Sequence, residues 1–142
     1  MKKALIVLLI FVVTACSNLV VKSLPAQSVE SRLFKIEQLN EQNQVRQASL
    51  LSVQFSETQW RWVQTDPLGA PLARLVLSEQ GWQNDGFIMP NQQAKQLFTA
   101  IAVALNPDHP PFELNKNWRI QKNGMHFSIT LPDGSQWKVN EL

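Results

Sequence analysis

Downstream of residue 30, apolar and polar side chains alternate in short runs, and that period predicts β-strands. Phe34 and Ile36 fall on one face of a run from Leu33 to Leu39, with Lys35 and Glu37 on the other. The polar stretch Asn40 to Asn43 leads into a second run at about Gln44 to Phe55, whose apolar face carries Leu51, Val53 and Phe55. Thr58 to Thr65 sets Trp60 and Trp62 two apart, so both indoles project from one side while Arg61 points to the other. Leu72 to Leu77 predicts a fourth strand, and the residues around Trp82 a short fifth ahead of Asp85-Gly86.

The period then changes. Ala94, Leu97, Phe98, Ile101 and Leu105 recur at helical spacing, with Lys95 and Gln96 off the stripe and Asn91 as N-cap. Asn106-Pro107 ends this amphipathic helix, and Pro110-Pro111 forces an extended loop. Asn123-Gly124, between Trp118 to Lys122 and Met125 to Leu131, predicts a two-residue hairpin turn. Pro132-Asp133-Gly134 makes the next turn, and Ser135 to Asn140 predicts a last strand with Trp137 and Val139 on one face. The domain is therefore expected to be mainly β (α+β), an antiparallel meander of about eight strands with one helix after the fifth. A sheet must bury one face, and one helix cannot cover eight flat strands. The sheet is expected to curl into an unclosed half-barrel, with the helix closing or plugging its open side.

The first fifteen residues change how the composition reads. They contribute Lys2, Lys3 and an uncharged apolar run from Ala4 to Val13, the pattern of a secretory signal peptide. Without them the 13 basic residues of the chain fall to 11, equal to its 11 acidic residues. A neutral domain with dispersed charge has no electrostatic reason to bind nucleic acid, which is excluded as a partner. Ten apolar residues span about 15 Å as helix, half the hydrocarbon core, so the run is read as an export signal rather than a membrane span.

Val13-Thr14-Ala15-Cys16 resembles the lipobox of bacterial lipoproteins. That resemblance implies cleavage before Cys16 and attachment of diacylglycerol to its thiol and of a further acyl chain, such as palmitate, to its amine. It also gives a role to the single cysteine of an exported chain, which would otherwise be an unpaired thiol. Ser17 and Asn18 follow, not the Asp that retains such proteins in the inner membrane, so the resemblance implies an outer-membrane, periplasm-facing location. The expected organisation is a signal peptide at 1–15, lipidated Cys16 and a tether at 16–30, and one domain at 31–142. Fully stretched, the tether reaches about 45 Å; Leu19-Val20-Val21 could instead open an edge strand.

A tryptophan-rich strand, then Asp66-Pro67-Leu68-Gly69, an apolar strand, a turn and a helix resemble the LolB-type outer-membrane lipoprotein receptors, over about half the chain. The sequence also resembles a set of small proteobacterial lipoproteins of unassigned function with the same Pro-Leu-Gly segment. The LolB-like resemblance implies an unclosed barrel with a hydrophobic interior, helices over its mouth, and a leucine at a turn tip that hands cargo to the membrane, a role that falls on Leu68. It further implies a periplasmic lipid or lipoprotein carrier as partner. Turn chemistry alone accounts for Asp66, Pro67 and Gly69 as a type I turn, and leaves two places for Leu68: the exposed tip, or folded back on a strand. Trp60, Trp62, Leu97, Phe98 and Ile101 either line a cavity or simply fill the core.

Catalytic and metal chemistry find little support. His109 lies in Asp108-His109-Pro110-Pro111, and His126 alternates with Ser128 and Thr130 on a polar strand face. Nothing pairs the two histidines at metal-ligand spacing, and no Gly-x-Ser-x-Gly or phosphate loop occurs. The expected activity is non-enzymatic, with no cofactor beyond the lipid on Cys16: holding or passing an acylated or apolar cargo, or else an adaptor role with a self-filled barrel. Cys16→Ser is expected to abolish metabolic labelling with palmitate and the accompanying cleavage; undiminished labelling would exclude the lipobox reading.

Overall fold

The computed structural model describes residues 19–124 and 126–142. Cys16, with the expected signal peptide before it and Ser17 and Asn18 after it, lies outside the described residues. Five strands come first: β1 (Ser31–Leu39), β2 (Val45–Phe55), β3 (Gln59–Thr65), β4 (Pro71–Ser78) and β5 (Gly81–Asn84). Helix α1 (Gln92–Leu105) follows, then β6 (Arg119–Asn123), β7 (His126–Thr130) and β8 (Gln136–Glu141).

All eight strands form one antiparallel sheet in the order β5-β4-β3-β2-β1-β8-β7-β6. Every neighbouring pair is consecutive in sequence except β1 and β8, which join the two ends of the domain at the middle of the sheet. The price of that closure lies elsewhere, because β5 and β6 are left as unpaired edges. The mainly β, unclosed architecture, with a single helix among the described residues, is thus the one the alternation predicts.

The registers keep one face apolar from edge to edge. Phe34 and Ile36 of β1, Leu51 and Val53 of β2, Trp60 and Trp62 of β3, Leu75 and Leu77 of β4, and Phe127, Ile129, Trp137 and Val139 of β7 and β8 are all buried. A one-residue slip anywhere would carry such a set into water, so burial specifies the register strongly. One turn differs from expectation. Asn123 pairs with His126, so Asn123 is the last ladder residue of β6 and not part of the hairpin loop. The loop places Gly124, at φ 65°, first in the turn, where a left-handed backbone is required, and sets Ile120 opposite Ile129.

Helix α1 begins where Asn91 Oδ1 accepts from Ala94 N at 3.0 Å and ends where Asn106 Nδ2 donates to Ala102 O at 2.8 Å. The sequence predicts a single buried stripe; instead Leu97 through Ala102 are all buried, and Leu105 of the predicted stripe is only half-buried. The helix is enclosed at its middle, with the sheet on one side and irregular segments on the other. Small residues, Ala100, Ala102 and Ala104, permit that close cover.

Part of the cover corrects the tether reading. Residues 19–30 form no strand, yet they are not free, because Leu19, Val21 and Leu24 pack against the core. Lys22 N donates to Pro111 O at 2.9 Å, and Gln27 Nε2 to Asn106 Oδ1 at 2.9 Å. Burying those three apolar side chains favours the attached state over a free leash.

A bidentate ion pair secures β1 near its junction with β8: Arg32 Nε and Nη2 meet the two Glu141 oxygens at 2.9 and 2.6 Å. The Arg32 hydrogen bonds hold the Glu141 carboxyl below its ordinary value of 4.5, against the opposing effect of burial. A carboxylate with a lowered folded pKa stabilises the fold above its unfolded value and loses that contribution as the pH falls through the folded one. Glu141→Gln is expected to cost about 1 kcal/mol at neutral pH, a fall in Tm of roughly 4 °C. The deficit should vanish in acid, and thermal melts at neutral and acidic pH would check this.

Candidate functional site

The interior beneath α1 is built from aromatic rings. Trp62 stacks on Phe98 of the helix at 5.3 Å between ring centres, with 23° between planes, and meets Trp82 of β5 edge-on at 5.4 Å. Trp82 stacks in turn on Phe112, 6.2 Å away, in the segment that follows the helix. Trp60 meets Phe55 edge-on at 5.0 Å lower in the same sheet. Each such pair adds about 0.5–1.5 kcal/mol to the burial of its rings.

The five residues offered as cavity lining are therefore brought together, but as packed core. Trp60, Trp62, Leu97, Phe98 and Ile101 are all essentially inaccessible to solvent, and Trp62 and Phe98 fill each other's space. The surface grooves run elsewhere. One of about 560 Å³ lies along Leu24 to Glu30 and Phe55 to Glu57, and another of about 600 Å³ between Leu19, Val20, Gln96, Leu114 and Trp118.

Polar groups inside this core are few, and most are satisfied. Gln64 Nε2 donates to Ser49 Oγ at 2.8 Å, Trp82 Nε1 to Thr99 Oγ1 at 2.9 Å, and Thr99 Oγ1 to Lys95 O at 2.8 Å. Trp62 Nε1 is the exception, a buried donor without a partner. Leaving it unpaired costs about 1–3 kcal/mol, and it sits under the one helix that fills the seam.

That helix is held by side chains alone. Among the described residues α1 forms no backbone hydrogen bond to any strand. Its attachments are the Trp82–Thr99 bond, Asn91 Nδ2 to Leu72 O at 3.5 Å, Gln93 Nε2 to Asp133 Oδ2 at 3.2 Å, the Gln27–Asn106 bond at its C-cap, and the apolar contacts. Burial would raise the Asp133 carboxyl, but hydrogen bonds from Ser135 and Gln93 outweigh it and hold the group below its ordinary value.

The Asp66-Pro67-Leu68-Gly69 turn is closed by Gly69 N to Asp66 O at 3.0 Å, while Asp66 Oδ1 accepts from Leu68 N and Ala70 N, each at 2.9 Å. Gly69, at φ 87°, takes the left-handed position. Leu68 is 95% exposed, which selects the tip over the folded-back alternative. His126 pairs with Asn140 on the outer face, His109 is exposed in its loop, and the described residues hold no cluster of three or more potential metal ligands.

Sequence reasoning missed Trp82, Thr99 and Phe112, whose roles need the strand and the following loop to close around the helix. It also missed Phe87 and Met89, which are 110% and 82% exposed in the loop between β5 and α1. The signal for them was present: three consecutive apolar residues, Phe87-Ile88-Met89, bracketed by the turn residues Gly86 and Pro90.

No protein-family model, curated protein or solved structure matches the chain.

Leu68→Glu is expected to leave stability within about 0.5 kcal/mol, because the charge stays in water. A melt lowered by several degrees would mean that Leu68 is buried.

Proposed function

We propose that this chain is a periplasm-facing outer-membrane lipoprotein that holds or passes an acylated or otherwise apolar cargo, with α1 as a displaceable plug. The reading is supported most by the unpartnered Trp62 indole N–H at the centre of the apolar interior. A core selected only to fill itself gains by pairing such a donor or by using phenylalanine there. A donor facing an apolar chamber suits the ester or amide carbonyl of an acyl chain, the single polar feature next to a long hydrocarbon.

The seam favours the same reading. A helix without backbone bonds to the sheet can withdraw from between β5 and β6 while every ladder stays intact. The chamber it would uncover is walled by Phe34, Ile36, Leu51, Val53, Trp62 and Leu77, all apolar. Anchoring at Cys16 and the Ser17-Asn18 sorting signal would put that chamber beside the outer membrane, within reach of a periplasmic carrier.

The adaptor reading has one observation of its own, the complete occupation of the interior by the chain's own rings. Native mass spectrometry of the mature domain separates the two. Co-purifying acyl lipid, displaced on Trp62→Phe, supports the carrier; a clean protein mass together with α1 amides unaffected by added lipid in hydrogen exchange supports the adaptor. Trp62→Phe keeps the stack on Phe98 and removes the orphan donor. It is expected to hold or raise Tm while lowering lipid occupancy severalfold, a split that loss of packing would not produce.

A further inference from the structure

The three most exposed large apolar side chains, Leu68, Phe87 and Met89, lie at one end of the half-barrel. β4 leaves the Leu68 turn and runs down the sheet, and β5 climbs back beside it, with Leu75 opposite Asn84. The loop 85–91 then continues up the edge of β4: Asp85 N donates to Arg74 O at 2.9 Å, and Asn91 Nδ2 reaches Leu72 O at 3.5 Å. Phe87 and Met89 thus stand next to the part of β4 that begins at the Leu68 turn.

Their exposure is not that of a loose loop. Asn84 Nδ2 donates to Ile88 O at 2.7 Å, and the Asp85 carboxylate lies 3.4 Å from Arg61 Nε and 3.6 Å from Arg74 Nη2. The loop is braced at its base while its apolar side chains face outward. Neither segment carries charge, from Pro67 to Ala73 or from Gly86 to Ala94.

The entry of the chain points to what meets this rim. Leu19 and Val20 share a groove with Gln96 and Trp118. Trp118 precedes Arg119, which pairs with Thr130 next to the β7–β8 turn, and Asp133 of that turn accepts from Gln93 in the first turn of α1. The start of α1 is also where loop 85–91 ends, so the described chain begins on the side of the rim. Two residues separate Leu19 from Cys16, a reach of about 10 Å in place of a free tether's 45 Å.

We propose that the Leu68 turn and the Phe87–Met89 loop together form a bilayer-docking surface, inserting side by side at the lipid headgroup boundary when Cys16 is acylated. This rests on the lipoprotein reading and extends it from one tip to a two-loop face with a fixed orientation. Because loop 85–91 joins β5 to α1, the docked surface includes the hinge of the plug, so cargo would move at the lipid surface itself.

Acylation occupies the only native thiol, so a single introduced cysteine can carry a fluorophore. Mature lipidated protein bearing Leu68→Cys, Phe87→Cys, Met89→Cys or, at the opposite end, Glu57→Cys would be reconstituted into phosphatidylethanolamine–phosphatidylglycerol vesicles with brominated acyl chains. Intact mass establishes acylation and thermal melts establish folding. Quenching at least threefold stronger at 68, 87 and 89 than at 57 is expected. Quenching at 68 alone overturns the two-loop face and leaves the tip reading standing; equal quenching at all four sites overturns the fixed orientation. Acylated protein with no quenching at any site rejects lipid as the occupant, whereas absence of acylation rejects the lipoprotein reading on which the proposal rests.

Discussion

The edges of β5 and β6 do not meet, and the rest of the molecule follows from how that gap is filled. Closing the sheet would pair every strand and remove the last exposed ladder groups. Here β1 pairs with β8, and the opening falls between the fifth and sixth strands, where the chain leaves one edge and must reach the other. α1 makes that crossing through the interior. An α-helix satisfies its own backbone bonds, so it can occupy an apolar space that an irregular segment would fill only with orphaned amides. Both edges are short, four residues in β5 and five in β6, which limits what they offer to another chain.

Enclosing a helix in this way sets demands on its neighbours. Leu97 through Ala102 are all buried, and residues 19–27 are fastened to Asn106 and to the proline-bearing loop after α1. Phe112 belongs to that cover and reaches Trp82, linking the outer layer to the same aromatic stack that holds Phe98 against Trp62. The stack ties helix to sheet through apolar contact alone. Backbone ladders, by contrast, bind strand to strand throughout. In the proposed carrier role, another apolar body would take the place of the helix while the sheet stays intact.

The ends of the half-barrel differ in character. At the rim formed by the β3–β4 turn and the loop into α1, hydrogen bonds accepted by Asp66 Oδ1 and donated by Asn84 Nδ2 and Asp85 N fix backbones whose side chains are apolar and solvent-facing. At the opposite end the β2–β3 turn carries Ser56 and Glu57, bonded or exposed in the ordinary polar manner.

Strand by strand, the order of elements was legible in the sequence, because period-two burial and turn residues are local properties. Phe34 and Ile36, Trp60 and Trp62, and Trp137 and Val139 declared their faces, and Asp66, Pro67 and Gly69 declared a turn. What Leu68 does in that turn was not local, since tip and folded-back conformers share the same preferences until neighbouring strands exclude one of them. Tertiary structure alone decided three further things: that α1 is enclosed rather than laid over an open mouth, that Leu19 to Leu24 are cover rather than leash, and that Trp62 lacks a partner where Trp82 has one. Each depends on which distant segments converge on a shared volume. Sequence period records which side of an element avoids water, but not which other element provides the shelter.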